Sequence, residues 1–217
     1  MQTGNKSRIK ELKTLYSDLK GDIDSRLEEF RSKGRASARD IFAELCFCIL
    51  TPQSRAISAD KAIKILVDNG KLFTGSAFDI RRYLTGVRFY NNKASYIVET
   101  RSRFTESGRL NVKNFLKEND VLKLRQQLMH KVKGYGLKEA SHFLRNTGRG
   151  CSIAILDRHI LKELAAYGII DGVPASLTPS RYYDIEGRMA VFAAECRIPL
   201  DALDFVLWYR ETGYLFK

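Results

Sequence analysis

A glycine-rich turn, a lysine and an aspartate lie near one another in the middle of the chain. The turn covers residues 133–136 (Lys-Gly-Tyr-Gly), Lys138 comes two residues later, and Asp157 comes nineteen residues after that lysine. Glycine permits tight turns, so successive amides can point together at an anion where the next helix begins. A neutral lysine amine can attack an electrophilic carbon, and a nearby carboxylate can stabilise positive charge on a sugar ring. The segment therefore combines groups for phosphate binding with groups for covalent amine chemistry.

The same residues also have ordinary structural interpretations. A lysine in the first turn of a helix is usually a solvated surface charge. Asp157 follows the apolar run Ile153 to Leu156, so we expect it to cap a helix that begins at Arg158. Taken from the residues alone, a cap and a catalytic carboxylate are equal alternatives for Asp157.

Composition narrows the class of partner. The 217 residues include 37 Lys and Arg against 25 Asp and Glu, which gives a net charge of +12. This excess favours a polyanion such as nucleic acid or an acidic membrane surface. No apolar run is long enough to span a bilayer, and the polar N-terminus does not resemble a signal peptide. We therefore expect a cytoplasmic, intracellular protein with no membrane partner.

The four cysteines do not form the close, even framework of a small secreted domain. Cys46 and Cys48 lie within an apolar run and have no second close pair. Burial as small hydrophobic residues is therefore favoured over metal binding. We expect reduced thiols, no metal and no cofactor.

The hydrophobic pattern is helical almost throughout. Apolar residues return every three or four positions, and no set of alternating strands is visible, which predicts an all-α fold of about ten helices with short connections. Predicted breaks include residues 32–34 (Ser-Lys-Gly). Asn119 is expected to cap the helix that enters the glycine turn, and Thr147 to end the helix that leaves it.

A helix, a Gly-x-Gly turn and a second helix together form a helix-hairpin-helix. This element grips one DNA strand through backbone amides and does not read bases. A glycine turn between packed helices is often only a turn. The basic chain and the lysines at positions 133 and 138 favour DNA binding here.

The central segment resembles the helix-hairpin-helix superfamily of DNA glycosylases. In that superfamily the hairpin precedes the catalytic lysine of bifunctional members and, later, a catalytic aspartate; Lys138 and Asp157 match these two. Residues 50–62 are similar to the family's Leu-Ser-x-Gln segment, which places Gln53 on the residue that enters the duplex beside a flipped base. Residues 86–97 are similar to its Gly-x-x-x-Tyr-x-x-Lys-Ala-x-x-Ile block.

Within the superfamily, the chain is most similar to the compact type-2 8-oxoguanine DNA glycosylase/lyases of archaea and some thermophilic bacteria. The endonuclease III branch usually binds an iron–sulfur cluster through four C-terminal cysteines, whereas here only Cys196 lies beyond Cys151. The chain is also too short for the N-terminal β domain of the large eukaryotic-type enzymes. In the compact group the chain terminus reaches the base pocket, which implies that Lys217 recognises the oxidised base. Trp208 can line that pocket, although a single Trp in an apolar helix is more often core.

The resemblance implies a two-subdomain fold with the active site in the cleft between them. We expect residues 33–150 to form a helical bundle that contains the hairpin, and residues 1–32 plus 151–217 to form the second subdomain. The chain is expected to act as a monomer on double-stranded DNA that contains 8-oxoguanine. Further candidates for DNA contact are Lys133, Gly134, Gly136, His159, Phe89 and Tyr90, the last two with buried core as the rival interpretation.

The implied reaction is bifunctional. Lys138 would attack C1′ of the sugar and form a Schiff base, which permits β-elimination of the 3′ phosphate. A different damaged or mismatched base, or a non-catalytic DNA-binding protein, are alternatives. The base preferred opposite the lesion is left open.

Overall fold

The computed structural model describes residues 3–215, which contain twelve helices and one short hairpin of strands. The helices are α1 (Thr3–Arg35), α2 (Ala38–Leu50), α3 (Ala56–Asp68), α4 (Lys71–Thr74), α5 (Ala77–Arg81), α6 (Tyr90–Arg103), α7 (Val112–Phe115), α8 (Val121–Lys131), α9 (Leu137–Asn146), α10 (Arg158–Ala166), α11 (Pro179–Cys196) and α12 (Leu200–Thr212). Strands β1 (Thr105–Glu106) and β2 (Arg109–Leu110) pair antiparallel. The predicted all-α class is confirmed. The helix count is higher than ten because α4, α5 and α7 are too short to show a 3.6-residue period.

Two predicted helix boundaries are wrong for physical reasons. Helix α1 runs through residues 32–34 to Arg35, and a Cβ added at Gly34 would collide with the backbone carbonyl of Thr147. That glycine serves close packing and does not break the helix. Asp120, and not Asn119, caps α8 by accepting hydrogen bonds from two backbone N–H groups. Asp and Asn cap equally well, so residue type could not choose between neighbours. Thr147 ends α9 as predicted.

One hydrophobic core is built around α2. Its N-terminus is fixed by a capping box between Ser37 and Asp40, and nine of its residues, from Ile41 to Leu50, are buried. Cys46 and Cys48 are fully buried there, as the sequence predicted. Helices α3, α6, α8 and α9 contribute the other main faces of this core. A helix buried on nearly every side provides the fixed support on which the flanking loops rest.

A second core joins α1, α10, α11 and α12, with Phe30 of α1 stacked on Phe205 of α12. Leu137, at the start of α9, packs into this second core, whereas Ile153 belongs to the first. The division of the chain at residues 33 and 150 stays a prediction. Within the described part of the chain, no helix combines the length and apolar character that a membrane crossing needs.

A buried polar network connects α8, α9 and α11 to the segment that leads into Asp157. Arg125 of α8 is fully buried and donates to both carboxylate oxygens of Glu186 at 2.6 and 2.9 Å, and to Ser141 Oγ at 3.1 Å. Glu186 Oε1 also accepts from the backbone N–H of Ala154 at 2.8 Å. Tyr182 Oη donates to the carbonyl of Ala154 at 2.8 Å. These bonds fix the backbone just before Asp157.

We expect Glu186→Gln to lower the free energy of unfolding by about 3 kcal/mol, because it leaves the charge of Arg125 buried without a negatively charged partner. Urea unfolding at neutral pH measures the loss. The double variant Arg125→Met/Glu186→Gln should recover part of that stability, since it removes the stranded charge as well. A loss below about 1 kcal/mol in the single variant would contradict the assignment of this pair as a buried ion pair.

Candidate active site

A cleft of about 660 Å³ collects predicted residues from distant parts of the chain. Its lining includes five of them: Gln53, Lys138, Asp157, His159 and Trp208. The volume lies within the usual range of pockets for small ligands, so the cleft can enclose one ligand of that size. Residues from the loop before α3 and from α9, α10 and α12 therefore meet at one place.

Lys138 is the second residue of α9, directly after the glycine turn. Its side chain is 25 % exposed, and its Nζ lies 3.6 Å from Oε1 of Glu139. The amine is thus half-buried yet open to the cleft. An amine that acts as a nucleophile needs this combination of shelter and access.

Asp157 serves as a cap and also lines the cleft. Its Oδ1 accepts hydrogen bonds from the backbone N–H groups of His159 at 2.8 Å and Ile160 at 2.9 Å, which fixes the start of α10. Both cap bonds end on the same oxygen, so Oδ2 is left for other contacts. No ion pair in the described part of the chain joins Asp157 to Lys138. The carboxylate is therefore held by its own helix and not by the lysine.

Contacts with Tyr96 and Leu45 fix the hairpin turn. Gly134 has φ +87°, and a Cβ at this position would lie 2.7 Å from the ring of Tyr96, so only glycine fits. Tyr135 is buried and its hydroxyl donates to the carbonyl of Leu45 at 2.8 Å. Lys133 and Gly134 are exposed. The turn therefore faces solvent, and the contacts of Gly134 and Tyr135 hold its backbone in place.

One predicted backbone donor of the hairpin is already engaged. The N–H of Gly136 donates to Oε2 of Glu139 at 3.2 Å, in the pattern of a capping box. A phosphate can use this amide only if the Glu139 carboxylate moves away. The glutamate, one residue after the lysine, was not singled out from the sequence, although its position three residues after the glycine was a recognisable cap signal.

Asp204 and Arg145 also line the cleft, and the sequence did not point to either of them. Arg145 donates to Asp204 at 2.7 Å and to Asn146 Oδ1 at 3.0 Å, and Asn146 donates to Glu44 at 2.7 Å. Burial raises the pKa of Asp204 to about 6, and the charge of Asp157 adds to the rise while Arg145 opposes it. The available signal for Asp204 in the sequence was an acidic residue within the apolar stretch of α12.

Aromatic side chains form one wall of the cleft. The rings of His159 and Trp208 meet edge to face with centroids 5.0 Å apart. Nε1 of Trp208 is buried, and among the described residues it has no hydrogen-bond partner. His159 Nδ1 lies 3.7 Å from the carboxylate of Glu211. A wall made of two ring systems can pack against a planar heterocycle.

Gln53, Phe89 and Tyr90 are displayed at the protein surface. Phe89 and Tyr90 are 53 % and 48 % exposed, so the rival interpretation of both as core residues is wrong. Phe89 and Gln53 have φ values of 56° and 54°, a left-handed conformation that is uncommon for residues other than glycine. Lys217 lies outside the described residues.

The four cysteines are free thiols, three of them buried, with Cys151 exposed. Across residues 3–215, no group of three or more His, Cys, Asp or Glu side chains is arranged to hold a metal ion. The cleft itself offers an amine, two carboxylates and an aromatic wall.

Comparison with known proteins gives one consistent result. The family model described as 8-oxoguanine DNA glycosylase matches residues 23–198. A Fusobacterium nucleatum protein named 8-oxoguanine DNA glycosylase/AP lyase is 41 % identical over 209 residues, which cover 95 % of this chain and 96 % of that protein.

Solved structures agree with the sequence relatives. The crystal structure of the Methanocaldococcus jannaschii 8-oxoguanine DNA glycosylase superposes with a TM-score of 0.88 at 36 % identity, covering 99 % of this chain and 98 % of that one. The same organism's glycosylase/lyase, in complex with 15mer DNA containing 8-oxoguanine, gives a TM-score of 0.87 at 35 % identity, with 97 % and 100 % covered.

Proposed function

The chain belongs to the 8-oxoguanine DNA glycosylase family, and on that premise we propose that Lys138 and Asp157 are its catalytic residues. The activity is that of an 8-oxoguanine DNA glycosylase/AP lyase, and its substrate is DNA that contains the oxidised base. The observation that carries the residue assignment is that the half-buried amine and the helix-capping carboxylate line the same cleft.

In the first step the damaged nucleotide leaves the helix stack and enters the cleft. The neutral amine of Lys138 attacks C1′, and the bond from C1′ to N9 of the base breaks. The electron pair leaves with the base, which takes up a proton. Asp157 stabilises the positive charge that develops on the sugar, and its fixed position on α10 means that it need not reorganise.

The lyase step follows from the covalent intermediate. Opening of the sugar ring transfers the C1′–O4′ electron pair to oxygen and leaves a protonated Schiff base between C1′ and Nζ of Lys138. Loss of a C2′ proton then expels the 3′ phosphate by β-elimination. Water releases the lysine and regenerates the enzyme.

The other predicted site residues divide into three groups. Trp208 stacks on the extruded base, and Lys217 takes part in recognising it; the N7–H is a donor that 8-oxoguanine has and guanine lacks. Gln53 and Phe89 enter the space that the base leaves, with Tyr90 beside them. His159, Lys133 and the amide of Gly134 contact phosphates, and the amide of Gly136 does so once the Glu139 carboxylate moves away.

The remaining assignments concern the oligomeric state, the location in the cell and the division into subdomains. The protein acts as a monomer in the cytoplasm, with residues 33–150 forming one subdomain and residues 1–32 plus 151–217 the other. The two hydrophobic cores, which follow different sets of helices, support this division. Net charge of +12 supports a polyanionic partner.

Borohydride trapping on a panel of lesion duplexes tests the function. We expect a covalent adduct with duplexes that carry 8-oxoguanine opposite each normal base in turn, and none with undamaged guanine. Duplexes with an oxidised pyrimidine or a mismatched thymine test the alternative substrates. Absence of any adduct or nick on every lesion would favour a non-catalytic DNA-binding protein.

Deleting Lys217 should lower discrimination between 8-oxoguanine and guanine by at least about tenfold, because a site that loses a hydrogen bond to a substrate N–H loses selectivity by one or more powers of ten. Affinity for undamaged duplex, measured by fluorescence anisotropy, should change far less. Full selectivity in the shortened chain would show that Lys217 takes no part in base recognition.

A further inference from the structure

Lys93 is a buried lysine that the catalytic scheme does not use. Only 4 % of the residue is exposed. Its Nζ donates to the carbonyls of Leu50 at 2.8 Å and Pro52 at 2.6 Å, and to Ser54 Oγ at 3.0 Å. Three bonds from one amine therefore hold the loop that follows α2, which carries Gln53.

The same lysine is bonded to the second loop. Its backbone N–H donates to the carbonyl of Phe89 at 3.0 Å, in the first turn of α6. Ser54 Oγ, which accepts from Nζ, also accepts from the backbone N–H of Arg88 at 2.9 Å. Ser54 follows Gln53 in the chain and Arg88 precedes Phe89. The two exposed side chains thus flank a single hydrogen-bonded junction.

Both of these residues are held in a strained conformation. Gln53 and Phe89 have φ of 54° and 56°, where side chains other than glycine cost free energy unless the surroundings impose the geometry. The junction built by Lys93 and Ser54 supplies that constraint. Strain of this kind concentrates where a side chain must be presented in a set direction.

We propose that Lys93 is a positioning residue that locks Gln53 and Phe89 into one paired wedge for opening the DNA duplex at the lesion. The inference rests on the proposed roles of those two side chains in filling the vacated stack. Lys93 does not itself touch DNA. It acts by keeping two loops from separate parts of the chain in register.

A lysine suits this junction better than other residues. Its ammonium offers three donors to three acceptors, and the carbonyl of Leu50 lies at the C-terminal end of α2, where positive charge is favoured. Burial lowers the pKa of Lys93 to about 8, so at neutral pH the group still carries its charge. Lys93 does not line the cleft, although the charge of Lys138 acts on its amine.

The test compares two substrates that differ in whether a base must be extruded. One duplex carries 8-oxoguanine opposite cytosine, and the other carries a preformed abasic site at the same place. We expect Lys93→Met to slow single-turnover excision of the paired base by roughly tenfold or more, because unstacking and unpairing a base needs the wedge. Borohydride trapping on the abasic duplex should change by less than about threefold, since no base leaves the stack.

Arg101→Met is the matched control. Arg101 lies on the same helix and donates to the carbonyls of Leu72 at 3.1 Å and Gly75 at 2.7 Å, away from the wedge. We expect this variant to affect the two substrates equally. If Lys93→Met yields too little folded protein, Ser54→Ala replaces it, because it breaks the junction to Arg88 and leaves both carbonyl bonds of Lys93 in place.

The single variants Gln53→Ala and Phe89→Ala distinguish failure of the wedge function from failure of the positioning role of Lys93. If both leave excision of the paired base unchanged, the wedge function fails and the inference on Lys93 falls with it. If both slow excision while Lys93→Met and Ser54→Ala do not, only the positioning role is overturned. Equal losses on paired and abasic substrates in Lys93→Met would likewise overturn it.

Discussion

Lys138→Gln is expected to abolish borohydride trapping on 8-oxoguanine DNA and to reduce single-turnover excision by at least about 1,000-fold, since loss of a catalytic nucleophile costs up to about a millionfold in other enzymes. Glutamine cannot form a Schiff base. Duplex affinity should remain close to that of the unchanged protein, because Lys138 is one of many positive charges in a chain of net charge +12. Trapping gels and fluorescence anisotropy measure the two effects separately.

Lys133→Gln is the matched control for this prediction. Lys133 lies in the same hairpin but is exposed and follows α8 outside the cleft. Replacing Lys133 should weaken DNA binding and make that binding less dependent on salt, while borohydride trapping persists. A trapped adduct in Lys138→Gln would instead show that another amine is the nucleophile. Lys93 is the chemically obvious rival because its pKa is lowered to about 8, but its amine is buried against two carbonyls.

Asp157→Asn should fold with nearly unchanged stability and lose about 100-fold or more in excision rate. Asn caps helices as well as Asp does, so its side-chain oxygen can still accept from His159 and Ile160. The charge that stabilises the developing cation is absent, however, and such a group is worth two to four powers of ten in rate, on the order found for catalytic acid–base residues. Urea unfolding and single-turnover kinetics measure the two quantities.

Asp120→Asn makes the same chemical change at a cap far from the cleft. Asp120 Oδ1 accepts from two backbone N–H groups at the start of α8, as Asp157 does at the start of α10. This variant should keep both stability and rate. If Asp157→Asn behaves like Asp120→Asn, the role of Asp157 is that of a cap alone.

The local features of the site followed from the sequence. Gly134 requires a positive φ, Asp157 caps the helix that starts at Arg158, and Lys138 opens the helix after the turn. Each of these depends on residues within a few positions, so type and spacing suffice to predict them. The one-residue error at Asn119 shows the limit, because two neighbouring residues cap equally well.

The resemblance to the glycosylase superfamily supplied the roles of Lys138 and Asp157, and family membership is confirmed by the matching model and relatives. Residue periodicity alone left Asp157 with two equal interpretations. Charge and composition indicated a polyanion partner and no more. Chemistry was therefore predicted from motif order, and fold class from hydrophobic spacing.

The sequence by itself determined the longer helices and the hairpin and pointed to the candidate amine and carboxylate, because these are properties of short segments. Tertiary structure alone decided which polar groups are buried together. Arg145 and Asp204 pair across 59 positions, and Lys93 reaches Leu50 across 43. A buried ion or a clamped loop depends on partners that no local pattern specifies, because burial changes the free energy of a charge only once distant segments close around it.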